Sequence, residues 1–131
     1  MSLIYLPEKT WSMRYGSEYF TVRIIKYLIK DQHECAFYEL QVYNGRRNWI
    51  VLRRFSEFDR LQASVRFIAG NRLPKLPPKT YCCRDLNPDF LARRKDLLQI
   101  FLHDMLQIPG VADDDHVREF LGLKLSTELY V

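Results

Sequence analysis

The sequence predicts an α+β fold: a three-stranded antiparallel β-meander packed against a helical subdomain that carries a proline-rich loop. Three observations predict it. Residues 19–53 hold three alternating segments joined by short links, the pattern of sequential hairpin-connected strands. Residues 56–69 and 88–108 repeat apolar side chains at helical spacing. Between them, "NRLPKLPPKTYCCRD" carries Pro74, Pro77 and Pro78, which remove amide donors and forbid regular pairing. A chain of 131 residues is expected to form one domain that buries roughly two thirds of its unfolded surface. Its boundaries are expected as an extension over 1–18, a folded unit over 19–123 and a tail over 124–131.

The first strand is expected over Tyr19–Lys30. Its apolar set is Phe20, Val22 and Ile24, then Ile25, Tyr27 and Ile29, so the apolar face switches midway. One extra residue in a strand does this, which predicts a β-bulge at Ile24–Ile25. Tyr38, Leu40 and Val42 alternate with Glu39 and Gln41 in a second strand, and Asn44-Gly45 suits a tight turn into a third over about 48–53. Ser56 with Asp59 three residues on reads as a capping box, followed by Phe58, Leu61, Val65 and Ile68 on one face of a helix over 56–69 that Gly70 ends. Asn87 and Pro88 form an N-cap and first-turn pair for a helix of about twenty residues that stops at Pro109-Gly110. A short last helix is expected over 113–121, with Gly122 just past its end.

Composition bounds the function. The hydrophobic share of 47% with 14% aromatic residues excludes a disordered chain. No apolar run approaches the ~20 residues of a bilayer span. "MSLIYLPEKTW" lacks a basic leader and a sustained apolar stretch, so a cytoplasmic, soluble protein is expected. Cys35, Cys82 and Cys83 form no C-x-x-C pair and have no histidine at ligand spacing, so reduced thiols and no metal site are expected. No nucleophile, base or phosphate-cleaving loop is visible, so the chain reads as a non-enzyme with no cofactor. Residues 53–95 hold eleven Lys/Arg against four acids, a net of +7, which leaves −3 for the remainder. A basic centre of this kind suits a polyanion: a membrane surface or a nucleic acid. A nucleic-acid face would interleave several exposed aromatics among the cations, and of the block's aromatics only Phe55 and Tyr81 are read as such. No nucleic-acid partner is expected.

Two arginines stand where the pattern does not ask for them. Arg94 lies on the same stripe of the long helix as Phe90, Leu97, Leu98, Phe101 and Met105. A guanidinium near the core needs an anion, an internal carboxylate such as Glu57, or a route to solvent. Arg54 sits where the third strand meets a helix start, beside amides and a positive dipole end. That combination suits a phosphate, which accepts bidentate hydrogen bonds. Phe55 follows and suits the face of a sugar-like ring or the core. Lys75 and Lys79 ride a backbone stiffened by prolines, and Tyr81, Cys82 and Cys83 stand between Lys79 and Arg84. Apolar residues among cations suit shallow entry into an anionic bilayer, or a packed loop.

Taken in order, "RRFSEF", "LPKLPPK" and "ARRKDLLQIFLHDML" closed by Ile108-Pro109 resemble the PX (phox-homology) domain family of phosphoinositide-binding modules, over about residues 19–123. The resemblance implies a reader of phosphatidylinositol 3-phosphate. Arg54 would hold the 3-phosphate, and Phe55 would pack on the inositol ring where the family often has Tyr. Lys79 would meet the phosphate linked to diacylglycerol, and Arg94 the 4- and 5-hydroxyls. Arg53, Lys75 and Arg84 would add supporting charge or structure, and Tyr81, Cys82 and Cys83 would form the membrane-contacting loop. It implies a sorting-nexin-like protein, peripheral on endosomal membranes and working with trafficking machinery. A PX-type protein-interaction adaptor, or a reader of a different or multiply phosphorylated phosphoinositide, is the alternative.

Overall fold

The computed structural model describes residues 3–7, 18–29, 35–79 and 86–123. Strands β1 (Ile4–Tyr5), β2 (Tyr19–Ile29), β3 (Ala36–Asn44) and β4 (Arg47–Arg54) form one sheet in the order β1-β2-β3-β4. Pairing of β2, β3 and β4 is antiparallel, as the alternation predicts. The expected three strands become four because Ile4 and Tyr5 pair in parallel with Tyr19 and Phe20. A two-residue strand is too short for any periodicity to announce it. The bulge falls where the apolar face switches, with the β2–β3 register shifting between Ile24 and Lys26. Beyond the reach of β1, the outer edge of β2 would carry bare polar groups. Gln99 covers it: Ile24 N donates to Gln99 Oε1 at 2.6 Å, and Gln99 Nε2 donates to Val22 O at 3.5 Å.

The helices are α1 (Phe55–Ser64), α2 (Arg66–Ala69), α3 (Pro88–Leu106) and α4 (Asp115–Leu121). The single helix expected over 56–69 is therefore two pieces. Ser64 Oγ donates to Leu61 O at 2.7 Å, the carbonyl that Val65 N would need for an α-helical bond. Val65 N turns to Gln62 O instead, the competition by which serine side chains break helices. The start also differs. Arg54 is the N-cap, and Glu57, not Asp59, reaches back to its amide, Arg54 N to Glu57 Oε1 at 2.9 Å. At α3 the expected cap holds, with Asn87 Oδ1 accepting from the amides of Asp89 and Phe90. The last helix starts two residues later than expected, after a 3-10 turn over Val111–Asp113.

One core lies between the inner face of the sheet and the helices. Val22, Ile24, Leu40 and Val42 supply the sheet side, and Phe58, Leu98, Phe101, Leu102 and Met105 the helix side. Phe58 stands at its centre, edge-on to Tyr38 at 6.2 Å and to Phe120 at 5.0 Å. On α3 the buried side differs from the expected stripe in one respect. Leu97 is 40% exposed, while Leu91 and Leu102 are buried.

A polar tie joins the approach to β1 to helix α4. Arg118 is only 3% exposed and donates from Nη2 to Asp113 Oδ1 at 3.0 Å; Leu3 N donates to the same oxygen at 2.7 Å. Asp113→Ala removes the carboxylate that accepts from the buried Arg118 guanidinium and from the Leu3 amide. Such a loss is severe for fully buried pairs, and Asp113 is itself part-exposed, so a drop of about 2 kcal/mol in urea-unfolding stability is expected.

Candidate functional site

The junction from β4 into α1 splits two adjacent arginines. Successive residues of a strand point to opposite faces, and Arg53 takes the inner one. Its Nε donates to Phe120 O at 2.8 Å and its Nη2 to Glu119 O at 3.4 Å, with the guanidinium 5.4 Å from the Phe120 ring centroid. Glu57 Oε2 lies 3.8 Å from Arg53 Nη1. Arg53 therefore braces the end of α4, where carbonyls lack intrahelical partners. Arg54 pairs with Phe37 across the strands and carries its guanidinium 5.9 Å from the Phe37 ring centroid. Among the described residues no carboxylate lies within ion-pair distance of Arg54.

Arg94 enters the same region from α3. It is 8% exposed, and its guanidinium lies over Phe55, 3.5 Å from the ring centroid, with Phe90 at 5.2 Å. Cation–π contacts of this kind stabilise a desolvated guanidinium. Arg94 Nη2 also donates to Pro78 O at 3.1 Å. The internal carboxylate weighed from the sequence, Glu57, is engaged by Arg53 and by the amide of Arg54. The Tyr38 hydroxyl lies beside the Arg94 guanidinium. Burial raises this phenol above its ordinary 10.0, and the neighbouring cation offsets part of the rise.

The proline-rich loop closes the group from a third side. Pro77 is buried, and Leu73 and Leu76 pack against the core. Gln62 Nε2 donates to Pro74 O at 2.9 Å, so α1 holds one end of the loop while Arg94 holds the other. Lys79 follows Pro78 directly, is largely exposed, and pairs with Asp59 Oδ2 at 3.0 Å. Lys75 is exposed at the loop surface.

Direct contacts thus join Phe55, Arg94 and Pro78, with Arg54 and Lys79 next to them in the chain. Arg53 turns away into a structural role. Tyr81, Cys82, Cys83 and Arg84 lie outside the described residues. Cys35 is disulfide-bonded, which corrects the expectation of a reduced thiol there. Pairing depends on how close the fold brings two Cα atoms, a distance that sequence spacing does not report. Asp59 and Tyr38 belong to the site's surroundings with no signal to mark them. Asp59 reads as a helix-start acid, and Tyr38 as one more inward residue of an alternating strand.

What this arrangement can do chemically is hold anions. It offers one guanidinium with no carboxylate at ion-pair distance among the described residues, one stacked on an aromatic ring, and one exposed ammonium on a backbone held by two side chains. Among the described residues no helix is long and apolar enough to cross a membrane.

Comparison with known proteins supplies the wider frame. The family model described as "PX domain" matches residues 41–124. Among curated proteins, the chain is similar to serine/threonine-protein kinase Sgk3 of Rattus norvegicus, 32% identical over 86 residues, which cover 66% of this chain and 17% of that protein. It is also similar to sorting nexin-16 of Homo sapiens, 39% identical over 77 residues, covering 58% and 22% respectively. The chain spans less than a third of the length of these relatives. Among solved structures, a designed CISK-PX domain superposes with a TM-score of 0.68 at 27% identity, covering 76% of this chain and 96% of that one. The mouse SNX19 PX domain shares the fold, with a TM-score of 0.58 at 23% identity, covering 79% of this chain and 95% of that one.

Proposed function

The chain belongs to the PX domain family, whose members are generally phosphoinositide-binding, membrane-targeting modules, and from that premise we propose that it reads phosphatidylinositol 3-phosphate on endosomal membranes as a non-catalytic anchor. The lipid-reading unit of this proposal is residues 19–123, to whose sheet Ile4–Tyr5 adds a strand. Arg54 holds the 3-phosphate, and Lys79 meets the phosphate that links the ring to diacylglycerol. Arg94 reaches the 4- and 5-hydroxyls. The inositol packs on Phe55 from the side that Arg94 leaves, since that guanidinium already lies against one face of the ring.

One observation carries the reading: Arg94, on the apolar face of α3, is nearly buried against Phe55 and directed at the loop that ends in Lys79. Arg94 lies against two aromatic faces and donates to a loop carbonyl, and a guanidinium has five N–H donors, enough to donate further to hydroxyls. Similarity to sorting nexin-16 supports a role in trafficking.

Strength follows from the number of contacts. Charge-assisted hydrogen bonds contribute about 1.5 to 3 kcal/mol each, and basic side chains near an anionic leaflet add about 1 kcal/mol apiece. A single headgroup is therefore a reversible hold, and durable recruitment takes a second signal. A reader of a different or multiply phosphorylated headgroup is the second reading, and one observation favours it. Arg60 and Lys75 are exposed and make no ion pair among the described residues, so they are available to further phosphates.

A vesicle panel with each phosphoinositide in turn tests both. The expected result is strongest sedimentation with the 3-phosphate lipid. Preference for a multiply phosphorylated lipid favours the second reading, and equal sedimentation with phosphatidylserine alone overturns both.

A further inference from the structure

Among the described residues, one acid, Asp59, pairs with a residue assigned to the lipid. We propose that Asp59 is a specificity-determining residue that competes with the headgroup for Lys79 and penalises headgroups of higher charge. This rests on the reading of Lys79 given above.

Side chains from two helices hold the loop. Asp59 and Gln62 are three residues apart in α1, so both face the same side of the helix, and both meet the proline-rich loop. Gln62 grips the carbonyl of Pro74 at 2.9 Å, and Arg94 grips the carbonyl of Pro78 at 3.1 Å from α3. Both are backbone grips, indifferent to what the Lys79 side chain does, and the prolines between them stiffen the segment. Among the described residues, Asp59 alone takes the Lys79 ammonium, at 3.0 Å. The loop thus stays in place without Asp59. What Asp59 changes is the charge that an arriving phosphate meets.

Two effects follow, and they share a sign. A phosphate must displace Asp59 from Lys79 or share the ammonium with it, and the carboxylate itself repels the incoming anion. The repulsion grows with each phosphate on the ring, because Coulomb energy scales with ligand charge. A third effect opposes them, since Asp59 restricts the rotamers of Lys79, but this ammonium is largely exposed and an exposed pair holds it only weakly. The net role is a restraint. Asp59 weakens binding of a singly phosphorylated inositol slightly and of a multiply phosphorylated one more.

Asp59→Asn tests this, because it keeps shape and hydrogen bonding while removing the charge. Affinities of parent and variant are measured for vesicles carrying the 3-phosphate lipid, for vesicles carrying a bisphosphorylated lipid, for phosphatidylserine vesicles, and for soluble inositol 1,3-bisphosphate. The expected result is binding about three- to fivefold tighter to the 3-phosphate vesicles, with a larger gain for the bisphosphorylated lipid. The gain should appear with the soluble headgroup too, shrink at high salt, and fall when Lys79→Ala is combined with it.

Unchanged or weaker binding by the variant, with a parent that binds, overturns the role of Asp59 and leaves the headgroup reading standing. A gain equal on phosphatidylserine vesicles, or absent with the soluble headgroup, also overturns it, because general surface charge then accounts for the effect. A parent that binds none of the phosphoinositides overturns the headgroup reading itself, and this inference with it.

Discussion

Arg54→Ala abolishes binding to vesicles carrying phosphatidylinositol 3-phosphate and leaves the thermal midpoint almost unmoved. The first half follows from the proposed contact. Two charge-assisted hydrogen bonds from one guanidinium to one phosphate contribute about 3 kcal/mol or more, which is a loss of at least about a hundredfold in affinity. The second half follows from what Arg54 does for the fold. Its cap to α1 runs through the backbone amide to Glu57, a bond that alanine keeps. Its side chain gives the fold only a distant contact with the Phe37 ring and no ion pair among the described residues. Sedimentation with vesicles, read beside a melting curve, separates the two. A variant that binds as the parent does removes Arg54 from the headgroup site. One that melts many degrees lower assigns it to the fold.

Gly122→Ala should be the most damaging small substitution at the α4 end. Gly122 ends that helix at φ +74, where its amide donates to Glu119 O and the next amide, of Leu123, donates to Arg118 O. A left-handed residue with a side chain costs roughly 1 to 2 kcal/mol. Space is the second difficulty, since a Cβ at this position would stand 2.8 Å from Trp49 Nε1. That indole donates to Leu121 O at 2.8 Å, so displacing it forfeits a further hydrogen bond of about 1 kcal/mol. A combined loss of about 3 kcal/mol is expected, seen as a fall of roughly 10 °C in the melting midpoint of a domain this size. An unchanged midpoint would mean that the end of α4 carries no strain. Vesicle binding below the new midpoint should persist, because neither Gly122 nor Trp49 belongs to the proposed headgroup contacts.

The sheet was legible because its signal is periodic and local. Even the bulge could be placed, since the switch from Ile24 to Ile25 changes the apolar face. Helix α3 was equally plain from Asn87-Pro88 onward, and Arg94 stood out as a charge on an apolar stripe. Other features depend on competition that a residue pattern does not rank. Ser56 and Glu57 were both able to serve the start of α1, and Ser64 diverts one carbonyl and breaks what reads as a continuous helix. Arg53 and Arg54 look alike in sequence, and only the packing of α4 tells them apart. Asp59 was hidden because its partner is 20 residues away, on a loop whose path no periodicity describes. Cys35 was misread for the same reason, since bonding depends on proximity that the fold creates.

The split arginine doublet makes strand phase a functional variable. One residue inserted into or deleted from β4 ahead of the pair would turn Arg54 toward the carbonyls of α4 and swing Arg53 outward, keeping every basic letter while exchanging the brace with the reader. In the proposed reading, chemistry alone therefore does not decide which arginine serves a lipid; parity along the strand does. Any engineered transplant of this doublet onto another sheet must preserve that parity as well as the charge.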